Sequence, residues 1–277
     1  MKNFTLNEQK IEDFSTDKQC VEYLAFLRWP EGYKCPRCCH GEAWQIRDDK
    51  YKCKKCGYQT TVTAGTIFHG THIPLTEWFE AARYIVSKRE VVNATDFQND
   101  LNISNSKTAQ KMLYRFRQAM ENAESTPMSG TVFIDLSSIK FKYASSFINV
   151  IVAVEVDDNK RIKRIKIFNP CRDNEVSKLM SSAKLVGTRL EYYSSSSNKN
   201  RLIKDELKIK SKLPAIQETV KYIENNQLLG SIHTFCANKD YSAIFAECSF
   251  KFNRRGLSEF DRLTELLDAA VHIDHGK

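Results

Sequence analysis

The sequence predicts a multidomain α+β protein in which two small N-terminal regions precede a larger α/β domain. Two Cys-x2-Cys pairs, with fourteen residues between them, lie in a short basic stretch. Two short amphipathic patterns separated by a turn follow them and are typical of a helical pair. After residue 130, three β-type runs precede a helical pattern, a fourth β-type run and further helices. That order is typical of a mixed α/β sheet.

The composition is that of a folded protein with an anionic partner. The 277 residues are 42% hydrophobic, which is enough to bury a core, and the net charge is +8. The charge favours nucleic acid over a membrane, because the sequence has no strongly amphipathic basic helix. No window approaches the ~18 apolar residues of a membrane span, and the N-terminus lacks the apolar region of a signal peptide. We therefore expect a cytoplasmic, nucleoid-associated protein with no membrane partner.

The four paired cysteines predict a zinc ribbon. Two tight turns each direct two thiolates at one tetrahedral zinc ion, and a hairpin of Trp44–Ile46 against Lys52 ties the turns together. The predicted ligands are Cys35, Cys38, Cys53 and Cys56. Metal binding accounts for them better than disulfides in a chain without a secretory signal, and a redox pair or unligated thiols are the alternatives.

Two further sets of side chains near the ribbon are not expected to bind metal. Cys39 and His40 lie just outside the symmetric pattern of paired cysteines. His69 and His72 follow in a loop, with no other ligands near them in sequence, and we expect them to be polar loop residues.

The segment from Ala94 to Met120 predicts a helix-turn-helix. A short helix meets a turn at Asn102, and Ser104 can cap a second helix. In this geometry the first turns of the second helix enter the major groove of duplex DNA. The residues expected to contact DNA are Asn105, Ser106, Lys107, Gln110 and Lys111 at the bases and Arg115 near the backbone. The alternative is an ordinary helical hairpin with a solvated basic face.

The remainder of the chain predicts one α/β domain. Its first strand, TVFIDLSSIKFK, carries a lone acid, Asp135, which is costly to bury unless it is paired, protonated or bound to a cation. A hairpin turning at Asp158-Asn159-Lys160, a helix over 175–184, a strand over 185–193 and helices after 213 follow. This order is of the ribonuclease-H type.

Several strings resemble the bacterial insertion-sequence transposases related to the Merlin superfamily. CPRC…CKKCGYQTTVTAGTIFHGTHIPLTEWF resembles the zinc-binding N-terminus of that family, and LNISNSKTAQKMLYRFRQAM resembles its helix-turn-helix. VFID resembles its first catalytic strand, and GSIH with ECSFKFNRR resembles its C-terminal signature. The resemblance implies a helix and zinc ribbon over 1–74, a helix-turn-helix region over 75–124 and a ribonuclease-H-like (DDE-type) domain over 131–277. It also implies a homo-oligomer on double-stranded DNA ends.

The resemblance further implies three acids that bind two Mg²⁺ ions and activate water or a 3′-hydroxyl for attack on a phosphodiester. Asp135 matches the first acid and Glu218 the third. No Asp follows the fourth strand, where the nearest carboxylate is Glu191.

Three functions are therefore open. The first is a transposase that binds terminal inverted repeats and cleaves and joins DNA. The second is a transposase-derived DNA-binding protein that has lost catalysis. The third is a nuclease of the same fold that uses other acids, namely Glu155, Asp157, Asp158 or Glu191.

Overall fold

The computed structural model describes residues 14–140, 147–168, 189–192, 214–225 and 241–273. The chain divides into two compact units. The first unit comprises residues 1–87, 97–122 and 257–277, and the second comprises residues 88–96 and 123–256. Each unit therefore combines segments that are far apart in sequence. The division expected from the sequence, at 1–74, 75–124 and 131–277, stays a prediction.

The described chain alternates between helices and strands in an α+β arrangement. The helices are α1 (Asp17–Arg28), α2 (Leu75–Ser87), α3 (Ala94–Asp100), α4 (Ser106–Ala123), α5 (Pro214–Asn225), α6 (Ser242–Asn253) and α7 (Glu259–Val271). The strands are β1 (Ala43–Arg47), β2 (Lys50–Cys53), β3 (Gln59–Thr61), β4 (Thr131–Lys140), β5 (Phe147–Val156), β6 (Ile162–Phe168) and β7 (Arg189–Tyr192). Among these helices, none has the length and apolar character needed to cross a membrane.

Strands β1, β2 and β3 of the first unit form a three-stranded antiparallel sheet in that spatial order. Trp44 pairs with Lys52, so the hairpin predicted between the two cysteine pairs is confirmed. The strands have three to five residues each. A sheet of this size buries too little apolar surface to be stable by itself and needs another source of folding free energy.

The helices of the first unit share an apolar core. Helix α1 begins with a capping box, in which Thr16 accepts from the backbone N–H of Gln19 and the Gln19 side chain accepts from the N–H of Thr16. Leu24 of α1 and Trp78 of α2 are buried in this core. Helix α7 packs against both α1 and α2. The Tyr23 and Thr264 hydroxyls lie 2.8 Å apart, and the N–H of Ile67 donates to the carbonyl of Ala270.

Helices α3 and α4 lie on either side of a tight turn. Asn102, in this turn, has a positive φ of 52°, a conformation that asparagine adopts more readily than most residues. The predicted cap, Ser104, is wrong by one residue. Helix α4 begins at Ser106, and the side-chain oxygen of Asn105 accepts from the N–H of Lys107 at 2.8 Å. Asn105 performs this role because its short carboxamide reaches an unpaired N–H of the first turn.

The second unit contains a four-stranded mixed sheet with the spatial order β6-β5-β4-β7. Strands β4 and β5 pair antiparallel, as do β5 and β6, while β4 and β7 are parallel. Helix α5 packs on β4 and β5, and α6 packs on β6. The core between sheet and helices is built from β-branched residues of β5 and β6 and from Ile216, Ile223, Phe245 and Cys248.

The hairpin between β5 and β6 is closed by an aspartate. The Asp157 carboxylate accepts from the N–H groups of Asn159 and Arg161 at 3.0 and 2.8 Å. Lys160 takes the positive φ of the turn, at 61°. Asp157 therefore stabilises the turn, as an aspartate at this position commonly does.

Some predicted features lie outside the described residues. These are the helix over 175–184, the stretch Tyr193–Ser197 after the fourth strand, and the Gly-Ser-x-His string at 230–233. The predicted helices that follow residue 213 begin within one to three residues of their expected positions, at Pro214 and Ser242.

Candidate functional site

Four cysteine side chains converge at one end of the three-stranded sheet. Their sulfur atoms all lie within 4.8 Å of one another, and among the described residues they form the one group of at least three His, Cys, Asp or Glu side chains with this proximity. The Sγ atoms of Cys35 and Cys56 are 3.7 Å apart, and those of Cys38 and Cys53 are 3.6 Å apart. The structure thus brings together the four predicted ligands, although the two pairs come from separate turns.

The sulfur spacing fits a tetrahedral zinc ion. Four thiolates at about 2.3 Å from one zinc are separated by about 3.8 Å, the edge of the tetrahedron. The two shortest sulfur separations, 3.6 and 3.7 Å, are close to that value. Disulfide bonds at this site would need sulfurs about 2 Å apart. The donor set and its geometry therefore support a structural zinc site.

The two cysteine turns have the same backbone conformation. The N–H of Cys39 donates to the carbonyl of Cys35 at 2.9 Å, and the N–H of Gly57 donates to the carbonyl of Cys53 at 3.0 Å. Cys39 and Gly57 both have a positive φ, at 57° and 69°. Cys39 is therefore the counterpart of the turn glycine, and it is exposed. This placement explains why a cysteine adjacent to the site is not one of the four converging thiols.

The same turns favour the thiolate form of the first cysteine in each pair. Burial raises the pKa of Cys35, but hydrogen bonds from the backbone N–H groups of Cys38 and Arg37 outweigh it and lower the pKa to about 6. The backbone N–H groups of Cys56 and Lys55 likewise lower the pKa of Cys53, against the opposing effect of burial. Because zinc binds the deprotonated thiol, each turn prepares its first cysteine for the metal.

Aromatic side chains cover one side of the cysteine cluster. Tyr33 and Tyr51 stack with their ring centroids 5.7 Å apart, and Trp29 packs against both rings at 5.1 and 5.2 Å. Tyr33 is buried, and its hydroxyl has no hydrogen-bond partner among the described residues. Burial raises the pKa of Tyr33, as does its proximity to Cys35. These rings exclude water from the sulfurs and help to fix the two turns.

The segment with this geometry is similar to known zinc-binding segments of transposases. Residues 15–59 match the transposase zinc-ribbon domain. The matched span contains helix α1, both cysteine pairs and the hairpin between them. The structural zinc of this ribbon is therefore supported both by the sulfur geometry and by the family match.

A second similarity comes from a mobile element. The chain is 25% identical over 134 residues to an uncharacterized protein in transposable element ISH50 of Halobacterium salinarum. The match covers 47% of this chain and 44% of that protein, so the chain spans less than half the length of this relative. No solved structure matches the chain.

The predicted DNA-contacting residues lie at the start of helix α4. Lys107, Lys111 and Ser106 are exposed, and Gln110 is half-buried. Asn105 is exposed too, but its side-chain oxygen caps the helix. Arg115 differs from the others, because its guanidinium donates to the backbone carbonyls of Ile67 and His69 at 2.7 and 3.3 Å. Arg115 therefore fastens the loop that precedes α2.

The two candidate catalytic acids lie on elements that contact each other. Asp135 is on β4, one residue beyond the last described pair between β4 and β7, Ile134 with Tyr192. Glu218 is on α5, which packs on β4, and its side chain is exposed. Glu191 is on β7 and pairs with Phe133, two residues before Asp135. The position where the sequence lacks the expected Asp, after Tyr192, lies outside the described residues.

Two other acids considered as metal ligands have structural partners. Glu155 is buried, and its carboxylate forms ion pairs with Lys163 at 2.8 Å and Arg164 at 3.0 Å. Burial opposes its ionisation, but these two cations outweigh burial and lower the pKa of Glu155. Asp157 closes the β5–β6 hairpin. These contacts leave both carboxylates occupied without a metal ion.

Two buried polar networks in the second unit were not predicted from the sequence. Glu247 accepts from the N–H of Val92 at 2.9 Å and pairs with Lys251 at 2.9 Å, with both side chains buried. In the second network, the Asn253 side chain bonds to both the N–H and the carbonyl of Ile165. The i,i+4 spacing of Glu247 and Lys251 was the one sequence feature that pointed to an ion pair. This spacing does not distinguish a surface ion pair from a buried one.

Proposed function

We propose that this protein is an insertion-sequence transposase-like protein that binds duplex DNA through its zinc ribbon and its α3–α4 pair. The observation that carries the proposal is the convergence of four thiols in a segment that matches the transposase zinc-ribbon domain. The similarity to a protein of a transposable element supports it. So does the net charge of +8, since a cationic surface attracts the phosphate backbone.

Helices α3 and α4 are proposed as a helix-turn-helix. The exposed Ser106, Lys107 and Lys111 lie in the first turns of α4, the part that enters the major groove in this motif. Gln110 lies beside them. Arg115 takes a different part in this proposal than the sequence predicted: it holds the loop at Ile67 and His69 and so supports α4.

The mixed sheet of the second unit is proposed as a ribonuclease-H-like core. The support is its strand order, in which the first three strands are antiparallel neighbours and the fourth pairs parallel with the first. In an active enzyme, Asp135 on β4 and Glu218 on α5 would hold Mg²⁺, the hard cation that prefers carboxylate oxygen. Held by these two carboxylates, such an ion would supply activation of a water or 3′-hydroxyl nucleophile and stabilisation of the leaving oxygen.

A second candidate function is a DNA-binding protein that has lost catalysis. It is favoured by the sequence after the fourth strand, which reads Glu191-Tyr192-Tyr193 followed by four serines and contains no Asp. Serine hydroxyls are weak ligands for Mg²⁺ compared with carboxylates. Two-metal phosphoryl transfer depends on several carboxylates, so a missing acid removes most of the activity.

Binding is tested with the full zinc-loaded chain and duplexes from the ends of the element that encodes it. We expect end-specific binding that weakens with salt, and the Lys107→Ala and Lys111→Ala variants should each lower the salt slope by about 0.9. Glu80→Ala, an exposed change on α2, is the matched control. Absence of any preference for the element's ends would refute the proposal, and an unchanged slope in both lysine variants would refute the role of α4.

Catalysis is tested separately by a strand-transfer assay on the same duplexes with Mg²⁺ or Mn²⁺. Cleavage that is lost in Asp135→Ala and in Glu218→Gln would establish the active transposase. Binding without cleavage would establish the inactive form. Cleavage that survives Asp135→Ala would assign the chemistry to other acids. Sedimentation of the DNA complex tests the proposed homo-oligomer.

A further inference from the structure

The ribbon sheet has one covered and one uncovered face. Tyr51 and its cross-strand neighbour Thr60 lie on the covered face, where Tyr51 packs against Trp29. Trp44, Lys52 and Gln59 form a cross-strand row on the opposite face. Trp44 is 54% exposed and Ile46, two residues along β1, is 47% exposed. We call the surface of Trp44, Ile46, Lys52 and Gln59 the Trp44 face.

Strand β1, which carries Trp44 and Ile46, is irregular at Ile46. The register of β1 and β2 shifts between Gln45 and Arg47, so Ile46 has no cross-strand partner of its own. A bulge of this kind redirects a side chain and is frequent next to functional sites. Here Ile46, two residues from Trp44, is exposed on the edge strand β1.

An exposed apolar pair of this kind needs an explanation. Single exposed hydrophobic residues are ordinary, but a tryptophan and an isoleucine exposed two residues apart on one strand, among polar neighbours, are typical of a binding surface. Both side chains are about half exposed, and β1, which carries them, is an edge strand of the sheet. A partner of this surface has to match both the apolar side chains and the charge around them.

The net positive charge of the ribbon favours a polyanionic partner. Between Tyr33 and Thr61 the sequence has seven Lys and Arg residues against three Asp and Glu residues. The excess remains positive even after the two net negative charges of a zinc tetrathiolate are included. A second copy of the ribbon would bring the same positive charge to the contact, and like charges oppose association. A nucleic acid supplies both phosphates for the lysines and flat apolar bases for the indole.

We propose that the Trp44 face binds unpaired bases of single-stranded DNA, such as the overhang that a staggered cut leaves. Trp44 stacks on one base, Ile46 contacts its edge, and Lys52, directly opposite Trp44, pairs with the adjoining phosphate. The bases of an intact duplex are already stacked on both sides, so the indole gains a stacking partner only where a base is unpaired. This role rests on the proposed DNA-binding function and adds a contact separate from helix α4.

The test compares a thymidine oligomer of about 12 nucleotides with a duplex of the same length, on the full zinc-loaded chain. We expect Trp44→Ala to weaken binding of the single strand about tenfold, with little change for the duplex, and Trp44→Phe to retain most of the affinity. Lys52→Ala should reduce the salt slope for the single strand by about 0.7. Leu257→Ala, an exposed apolar residue outside the ribbon, is the matched control and should change nothing.

A direct readout of the contact comes from tryptophan fluorescence. Subtracting the Trp44→Phe signal from the wild-type signal isolates Trp44, which is the most exposed tryptophan of the chain. We expect the oligomer to protect Trp44 from acrylamide quenching. Zinc content of each variant confirms that the ribbon is intact, since Trp44 is not part of the cysteine cluster.

Three outcomes would overturn the assignment. Trp44 that stays accessible to acrylamide in the saturated complex excludes stacking. Equal weakening of single-strand and duplex binding by Trp44→Ala indicates a groove contact instead. A change in self-association without a change in DNA affinity makes the face a contact between copies. In contrast, a wild-type chain that binds neither DNA refutes the proposed function itself, so the two failures are distinguishable.

Discussion

Individual side chains of the ribbon have sharply different roles despite their similar chemistry. Cys35 and Cys39 are four residues apart, and both belong to the first cysteine turn. Cys35 is buried within the group of four sulfurs, whereas Cys39 is exposed and has the positive φ that a glycine has in the second turn. The backbone conformation of each residue therefore determines whether its thiol reaches the metal.

This difference gives a matched pair of substitutions. We expect Cys35→Ser to abolish stoichiometric zinc binding and to unfold the ribbon, because zinc supplies much of the folding free energy of so small a unit. Cys39→Ser should keep about one zinc per chain. Metal analysis and a chromogenic chelator measure both results. Equal zinc content in the two variants would contradict the assignment of the ligands.

Glu155 makes a pH-dependent contribution to the stability of the second unit. Lys163 and Arg164 lower its pKa below the ordinary value of 4.5, despite the opposing effect of burial. A group with a depressed pKa stabilises the folded state above its unfolded pKa, and the contribution is lost as the pH falls through the folded pKa. We expect this part of the stability to be full at neutral pH and to disappear in acid below about pH 4.

The corresponding variant is Glu155→Gln. It should lower the free energy of unfolding at pH 7 by about 1–3 kcal/mol, since the buried carboxylate is replaced and its cations lose a partner. The loss should shrink as the pH falls, because the wild-type carboxylate then becomes neutral too. Asp158→Asn, at the exposed hairpin tip, is the control. Urea unfolding at several pH values makes the comparison, and a pH-independent difference would argue against the ionic role.

Among the elements, β6 is notable because it lies at the outer side of the four-stranded sheet. The N–H of its residue Ile165 donates to Oδ1 of Asn253, at the end of α6, and Nδ2 of Asn253 donates to the carbonyl of Ile165. The carboxamide of Asn253 thus forms the two backbone hydrogen bonds with Ile165 that a residue of a neighbouring strand would form. The same carboxamide donates to the buried Glu124 at 2.7 Å, and Arg254 also pairs with Glu124. Unpaired strand edges promote aggregation, so this contact both fixes α6 and protects the edge.

We therefore expect Asn253→Ala to destabilise the second unit by about 1–3 kcal/mol, since it leaves the N–H and the carbonyl of Ile165 without their side-chain partner and Glu124 with Arg254 alone. The variant should also aggregate more readily on heating. Asn159→Ala, at the exposed hairpin turn, is a control with the same change of side chain. Thermal unfolding with light scattering measures both effects, and equal behaviour of the two variants would refute the role of Asn253.

At the scale of the whole molecule, the first unit is completed by the last described helix. Leu263, Leu266 and Leu267 of α7 are buried, and α7 packs on α1 and α2. Further contacts join earlier segments of this unit to α7 and the residue after it. The Asn122 side chain donates to the carbonyl of His272 at 3.2 Å, and the N–H of Ile67 donates to the carbonyl of Ala270. The N-terminal helices consequently depend on residues more than 130 positions away along the chain.

This dependence predicts the effect of truncation. A chain ending at Gly256 loses three buried leucines, each worth about 1.5–3 kcal/mol, and we expect α1 and α2 to lose their protection from hydrogen exchange. The ribbon should still bind zinc, because its four ligands lie within 35–56. A chain ending at Ile273 is the control and should behave like the full chain. Unchanged protection of α1 and α2 in the shorter chain would contradict the role of α7.

Local features were available from the sequence. The spacing of the paired cysteines predicted the metal site, because two short turns need only their own residues to direct the thiols. The alternating runs predicted the β5–β6 hairpin. These features depend on interactions between residues that are close in the chain, which a pattern in the sequence records directly.

The tertiary structure decided what depends on distant contacts. A single sequence contains no sign that α7 would pack on α1, that Asn253 would pair with the edge of β6, or that Glu155 would be neutralised by Lys163 and Arg164. It likewise does not distinguish the covered from the uncovered face of the ribbon, since Tyr51 and Trp44 both follow a β-type pattern. Trp29 and Tyr33 decide which of the two rings is covered, because they pack against Tyr51 on one face of the sheet and leave Trp44 exposed on the other.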